Sequence, residues 1–307
     1  MSGIQQPGAG EFRSGFVCFV GRPNTGKSTL TNAMVGQKIA ITSSRPQTTR
    51  HTIRGIVHRE HAQLILVDTP GLHRPRTLLG QRLNDLVRDT YSEVDVIALC
   101  IPADEKIGPG DRWIVQQVRQ MAPKTTVIGV VTKIDKVDKP QIAAQLLAVS
   151  QLLGPEAEVV PVSAAMGEQV EVLVDVIAAK MPEGPAFYPD GDLTDEPEET
   201  LMAELIREAA LEGVRDELPH SLAVVIEEIL PREEHEDMLD VHALLYVERP
   251  SQKAIVIGKR GARLKEVGTA ARKQIEHILG TRIYLHLHVK VAKDWQRDPK
   301  QLRKLGF

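Results

Sequence analysis

Between residues 16 and 182, compact apolar runs alternate with stretches in which apolar residues recur every three or four positions. Residues 16–20, 52–59, 62–67, 94–100, 125–131 and 159–162 read as strands, several of them apolar throughout, as strands covered on both faces must be. Residues 28–35, 111–121, 140–153 and 170–181 read as helices, and residues 37–51 lack a clean period and read as a loop. Strands and helices in alternation predict an α/β unit, a mostly parallel sheet between two helical layers with right-handed crossovers.

The pattern changes after residue 182. Residues 183–198 collect proline, glycine and acids without a hydrophobic period, the composition of a linker between a first domain at 14–182 and a second at 199–307. The second opens with a helix over residues 198–214, on which Leu201, Leu205, Ala209 and Val214 roughly share a face. Residues 221–230 and 239–248 read as strands, although periodicity alone leaves 222–229 compatible with a helix. Leu264, Val267, Ala271, Ile275 and Ile278 keep helical spacing. Ile283, Leu285, Leu287, Val289 and Val291 alternate with polar residues as on a half-buried strand. This second domain is therefore α+β.

A chain of 307 residues holds two domains of ordinary size. Aromatic residues make up only 4%, which suits strands built of Val, Ile and Leu under helices better than an aromatic-cored sandwich. The net charge of −3 conceals a sharp asymmetry: residues 198–248 carry 3 Lys/Arg against 15 Asp/Glu, whereas residues 249–307 carry 15 against 4. So large a change within one small domain points to a polyanionic partner for the basic part. The two cysteines, Cys18 and Cys100, lie in apolar strand-like runs and read as core residues rather than a disulfide or thiolate metal site. No apolar run reaches the roughly 20 residues that span a bilayer, and residues 1–15 lack the apolar core of a signal peptide, so the expected location is the cytoplasm.

The first candidate site is Gly21-Arg22-Pro23-Asn24-Thr25-Gly26-Lys27-Ser28. It follows an apolar strand and opens a helix, the context in which G-x-x-x-x-G-K-[ST] cradles phosphates: loop amides and the helix N-terminus converge on the anion, Lys27 adds a point charge and Ser28 a hydroxyl for Mg²⁺. Asp68-Thr69-Pro70-Gly71 ends a strand where ligands bind open α/β sheets. Thr132-Lys133-Ile134-Asp135 and Ser163-Ala164-Ala165 also come directly after strands. In the basic part, Gly258-Lys259-Arg260-Gly261 precedes the helix that carries Arg263 and Lys265. A G-x-x-G turn there admits a nucleic-acid backbone closely, with basic side chains for its phosphates.

In order and approximate spacing, Gly21–Ser28, the Thr48/Thr49 loop, Asp68–Gly71, Thr132–Asp135 and Ser163–Ala165 resemble the five motifs of small GTPases. The second domain resembles a type II KH domain, provided that residues 252–257 form a short helix. Together they resemble the Era family of ribosome-assembly GTPases over essentially the whole chain after residue 14. The resemblance implies GTP or GDP at Gly21, Asn24, Thr25, Gly26, Lys27, Ser28 and Thr29, with Mg²⁺ held by Ser28, Thr49 and Asp68 (Thr48 the alternative to Thr49). The Gly71 amide would sense the γ-phosphate. Base recognition falls to Asp135, whose carboxylate can accept from N1 and N2 of guanine, with Lys133 packed over the base and the Ala164 amide at the guanine oxygen. Thr132 departs from the asparagine usual in the family and leaves the bracing of the loops in question.

Hydrolysis is the gap. Ras-type enzymes orient water with a glutamine directly after D-x-x-G, and here that residue is Leu72, which cannot orient water. In the related branch, a residue at the position of Asn24 helps to bind K⁺, which replaces an arginine finger, so K⁺-assisted and intrinsically slow turnover is expected, with Lys27, Asn24, Thr49 and Gly71 as the catalytic set. In the second domain Gly258, Lys259, Arg260, Gly261, Arg263 and Lys265 are expected to meet RNA, with Ile255, Ile257, Leu264 and the strand face as a groove for unstacked bases. The family implies the 3′ end of 16S ribosomal RNA and the maturing small subunit as partners, a monomer, and peripheral contact with the inner membrane face. Two other readings stay open on the residues: an RNA-binding scaffold that holds GTP without turning it over, and a P-loop kinase or ATPase, against which Thr132–Asp135 argues. His286 and His288 share a strand face without an evident third metal ligand, and Trp295 and Tyr188 read as local packing.

Overall fold

The computed structural model describes residues 12–42, 49–70, 77–212, 221–232 and 235–307. The chain divides into two compact units.

In the first unit a six-stranded sheet has the order β2-β3-β1-β4-β5-β6, formed by β1 (Arg13–Val20), β2 (Ile53–Arg59), β3 (Ala62–Asp68), β4 (Val96–Pro102), β5 (Thr126–Thr132) and β6 (Val159–Pro161). Only β2 runs antiparallel, against β3; the other neighbours are parallel. The apolar runs that define β3 and β4 are buried along their whole length, because helices cover both faces of the sheet. On one face Val17, Phe19, Leu64, Leu66 and Ala98 pack with α1 (Lys27–Val35) and α5 (Val170–Ala178). On the other, Cys18, Val20, Ile97, Leu99 and Val131 pack with α3 (Pro109–Met121) and α4 (Lys139–Leu153). Cys18 and Cys100 are both buried, and burial pushes their thiols up, that of Cys100 to about 12, so both are core residues.

Two features differ from the sequence reading. Helix α2 (Leu78–Glu93) falls in a stretch that received no element, yet Leu79, Leu83, Val87 and Tyr91 make a buried stripe at four-residue steps. The stretch expected to be a linker is bound to the sheet over much of its length: residues up to Asp195 belong to the first unit. Gly184 N–H donates to the Phe12 carbonyl (3.1 Å) and Ile56 N–H to the Leu193 carbonyl (2.9 Å). The buried Gln63 amide accepts from the Phe187 and Tyr188 N–H groups and donates to the Tyr188 carbonyl. A single amide thereby holds two consecutive residues of the segment, and the Phe187 ring lies against that of Phe16 at 5.1 Å.

Among the described residues, the second unit contains those from Glu196 to Phe307 together with Ile41, Thr42 and 77–83. Its sheet has the order β7-β8-β9, with β7 (Ala223–Arg232) antiparallel to β8 (His235–Val247) and β8 parallel to β9 (Arg282–Val291). Residues 222–229 are thus strand rather than helix from Ala223 onward. Helices α6 (Glu198–Leu211) and α8 (Ala262–Leu279) bury Leu205, Ala209, Val267, Ala271 and Ile275 with Val241, Leu245 and Ile283. Helix α7 (Pro250–Ile257) meets the condition that the type II order required. Val214, expected on the first helix, lies outside the described residues. A closing helix, α9 (Pro299–Lys304), was not expected; Asp298 caps it by accepting from Lys300 N–H (2.8 Å). Trp295 is fully buried and donates to the Ser221 carbonyl (2.9 Å), and the His286 ring stacks on that of His242 at 4.2 Å.

Candidate functional site

Strand β1 hands directly to the phosphate-type loop, and α1 begins at Lys27. Gly26 takes φ 95°, a left-handed conformation that a side chain would strain, and this turns the chain into the helix so that the first amides of α1 face the loop. Lys27 is buried. Its ammonium donates to the carbonyls of Arg22 (2.8 Å) and Gly21 (3.2 Å), and desolvation lowers its pKa while the nearby Asp68 opposes that shift. Thr25 is buried as well, with its hydroxyl on the Arg22 carbonyl (3.0 Å), whereas Asn24 is exposed with φ 64° and Thr29 is exposed on α1.

Beside this loop three side-chain oxygens converge. Ser28 Oγ donates to Asp68 Oδ2 (2.6 Å), Thr49 Oγ1 lies 3.4 Å from the same oxygen, and the two hydroxyls are 3.2 Å apart. Asp68 is fully buried at the end of β3, in register with Phe19 of β1, and its second oxygen, Oδ1, has no partner among the described residues. Burial raises the Asp68 pKa, partly offset by Ser28, Lys27 and Thr49. Hard oxygen donors gathered around a buried carboxylate with one oxygen that has no hydrogen-bond partner among the described residues fit Mg²⁺. The expected trio Ser28, Thr49 and Asp68 is therefore brought together in space. Thr48, Gly71 and Leu72 lie outside the described residues.

The base-reading residues come from the ends of β5 and β6. Thr132 is buried, and its hydroxyl donates to the Thr25 carbonyl at 2.6 Å. This answers the question raised by the missing asparagine amide: the hydroxyl ties the base loop to the phosphate loop. Lys133 adopts φ 57° and starts the single 3₁₀ turn Ile134–Lys136, which leaves Asp135 exposed. One Asp135 oxygen accepts from Ser163 Oγ at 2.6 Å, and the same hydroxyl accepts from Met166 N–H (3.2 Å). Ser163 itself is buried, so it fixes the carboxylate from below, while Ala164 and Ala165 follow it toward the surface.

In the second unit, Lys259 and Arg260 stand exposed on a 3₁₀ turn between Gly258 and Gly261. Gly258 has φ 72°, and a Cβ there would lie 2.5 Å from that of Arg263, so the turn admits no side chain at this point. Beside the turn runs a groove of about 510 Å³ lined by Gly261, Leu264, Lys265, Gly268, Arg272 and Tyr284 among others. A second one, of about 600 Å³, includes Ile257, Leu264, Leu287 and Lys290 in its lining. Two expectations need correction. The Arg263 guanidinium donates to the Glu212 carbonyl and to Glu266 (3.4 Å), so an approaching phosphate would compete with these two acceptors for it. Ile255 is largely exposed and lines neither groove. Arg272 and Tyr284 were not singled out, because only the packing of α8 beside β9 brings them to the groove.

Residues 16–133 match the family described as 50S ribosome-binding GTPase, and residues 217–296 match the KH domain family. The chain is 79% identical over 297 residues to GTPase Era of Mycolicibacterium smegmatis, covering 97% of this chain and 99% of that one. It is 74% identical over 298 residues to GTPase Era of Mycobacterium leprae, with the same coverage. Among solved structures it is similar to a point variant of Aquifex aeolicus Era bound to GDP·AlF4⁻ (TM-score 0.92, 38% identity, 96% of this chain and 99% of that one). It is also similar to Era in complex with MgGDPNP and nucleotides 1506–1542 of 16S ribosomal RNA (TM-score 0.91, 39% identity, the same coverage). A buried oxygen trio beside a phosphate loop, a guanine-type carboxylate and similarity along nearly the whole length agree, and the chain belongs to the Era family of GTPases.

Proposed function

We propose that the chain binds the 3′-end region of 16S ribosomal RNA through its KH unit, and that its GTPase cycle times that contact during assembly of the small ribosomal subunit. The observation that supports the RNA half is the exposed Lys259–Arg260 turn set beside the groove containing Lys265, Arg272 and Tyr284, which offers charge for phosphates and apolar walls for unstacked bases. The solved Era complex with nucleotides 1506–1542 supports the choice of RNA. The test is filter binding of labelled 16S 3′-end fragments in the presence of GDP or a non-hydrolysable GTP analogue. Binding that exceeds that of an unrelated RNA of equal length supports the reading, and equal binding of both RNAs contradicts it. Whatever factor GTP adds to RNA affinity, RNA must add to GTP affinity.

The nucleotide half follows from the site. Ser28, Thr49 and Asp68 would hold Mg²⁺, which when bound neutralises charge on the β- and γ-phosphate oxygens. Lys27, now on backbone carbonyls, is within its own reach of the same phosphates, and the α1 N-terminus adds backbone amides. Asp135, aimed by Ser163, accepts from the guanine edge, and Thr132 keeps the two loops in register.

Leu72 cannot orient water, and the positive charge that an arginine finger supplies in other GTPases must also come from elsewhere. Asn24, exposed in the phosphate loop, would hold K⁺ in the place an arginine takes in other GTPases. Turnover in KCl should then exceed turnover in NaCl at equal ionic strength, and Asn24→Ala should lose the difference. Equal rates in the two salts would remove the K⁺ role. The same reading includes a cytoplasmic monomer with peripheral contact to the inner membrane face. Among the described residues no helix is long and apolar enough to cross a membrane, and flotation with anionic vesicles tests the contact.

A further inference from the structure

Arg22 is the arginine inside the phosphate loop, one residue after Gly21, and it stands close enough to the chemistry to invite a role as the missing positive charge. Its side chain is committed elsewhere. Nε donates to Asp111 Oδ1 at 2.8 Å and Nη2 to Glu105 Oε2 at 2.9 Å. Asp111 belongs to the first turn of α3, and its side chain is 1% exposed. The other Asp111 oxygen accepts from Gly108 N–H (2.8 Å), so one buried carboxylate both caps α3 and holds Arg22. The arginine stem lies against α3 as well: a Cβ at Gly110 would come within 3.0 Å of Arg22 Cδ. On its backbone side, the Arg22 carbonyl accepts from Lys27 and from Thr25. A continuous path therefore runs from the α3 N-terminus through the guanidinium to the two loop side chains nearest the phosphates.

We infer that the Arg22–Asp111 pair is a brace that sets the phosphate loop for nucleotide binding, and that Arg22 positions the loop without acting as a transferring charge. Swinging the guanidinium to a phosphate would strand the buried Asp111 carboxylate, which is a strongly unfavourable exchange. With the loop fixed before GTP arrives, the cost of ordering it is not charged against binding. This deepens the proposed mechanism and rests on Gly21–Ser28 being the GTP site.

The experiment uses the full chain with Mg²⁺ and KCl, fluorescently labelled GDP for dissociation, and single-turnover phosphate release from GTP for the chemical step. Cutting the bond between Arg22 and Asp111 should raise the GDP dissociation rate about tenfold in Asp111→Asn and in Arg22→Ala, the latter also losing the exposed bond to Glu105, which adds little, with bound GTP hydrolysed within about threefold of the unchanged protein. The double variant should dissociate no faster than either single one, because both changes cut the same path. Arg22→Lys keeps Asp111 paired and should fall between, which guards against a variant that merely unfolds. A hundredfold loss of single-turnover hydrolysis in Arg22→Ala with unchanged dissociation would make Arg22 a transferring charge and overturn the inference. Unchanged dissociation in Asp111→Asn would overturn it too. If the unchanged protein itself fails to hold labelled GDP, the nucleotide site is misassigned and the brace falls with it.

Discussion

In the first unit, the polar atoms that hold the nucleotide site in shape are inside the protein: Asp68 and Ser163 have no exposed surface, Thr132 is 3% exposed, and Ser163 fixes the exposed Asp135 carboxylate from below. In the second, Lys259, Arg260 and Lys265 stand in solvent beside an open groove. Buried polar groups are held in one geometry by partners that they cannot exchange for water, so each can discriminate one ligand atom from another. Exposed cations act through the summed field, which attracts any polyanion and is screened by salt. One chain thus carries a selective site for a small ligand and a permissive one for a large ligand, and changes in each should fail differently.

The largest effect should come from the atom that reads the base. An Asp135 carboxylate offers two acceptors to guanine N1–H and N2–H; asparagine offers one acceptor and one donor, which match the N1–H and C2 carbonyl of xanthine instead. Asp135→Asn should lose GTP affinity by on the order of 10⁴ while gaining xanthosine triphosphate, read by displacement of a labelled nucleotide. Equal loss of both nucleotides would mean that the carboxylate only holds the loop. In the second unit the comparable change is in backbone: Gly258→Ala forces a Cβ to 2.5 Å from that of Arg263 at φ 72°, strain of about 1–3 kcal/mol that should reorient the turn and weaken RNA binding about 10- to 100-fold. Wild-type affinity in a folded Gly258→Ala protein would show that the shape of the turn is not needed. Smaller again, Thr132→Val keeps shape but leaves the Thr25 carbonyl unpaired, about 1–2 kcal/mol, and should weaken nucleotide binding roughly tenfold. Thr132→Ser should restore most of it.

How much of this was legible in the sequence follows the same division. Gly21–Ser28, Asp68 and Asp135 could be located because strand ends and backbone turns impose their spacing, and the structure brings Ser28, Thr49 and Asp68, the trio that the family resemblance implied, together. The bracing role of Thr132 was not legible, since a hydroxyl that replaces an amide gives no pattern of its own; only the 2.6 Å contact with Thr25 shows it. Helix α2 was legible and went unread: Leu79, Leu83, Val87 and Tyr91 repeat every four residues in a stretch otherwise polar. Residues 183–195 looked like a free linker because composition records no partner, and their partners are the buried Gln63 and backbone groups of Phe12 and Ile56, far away in sequence. Arg263 read as one more cation of a basic segment, whereas the end of α6 captures it through the Glu212 carbonyl. Contacts between segments distant in sequence were the part that local pattern could not carry.

The contrast between a selective buried site and a permissive exposed one is tested most directly by the salt dependence of RNA binding. The affinity of labelled 16S 3′-end RNA should be measured across a KCl series for the unchanged protein and for Lys259→Ala/Arg260→Ala. Two lost phosphate contacts on a single strand should make the log–log slope shallower by about 1.4, so the two lines converge at high salt. Parallel lines, displaced by a constant factor, would contradict the account, because the turn would then be binding RNA through shape rather than through charge.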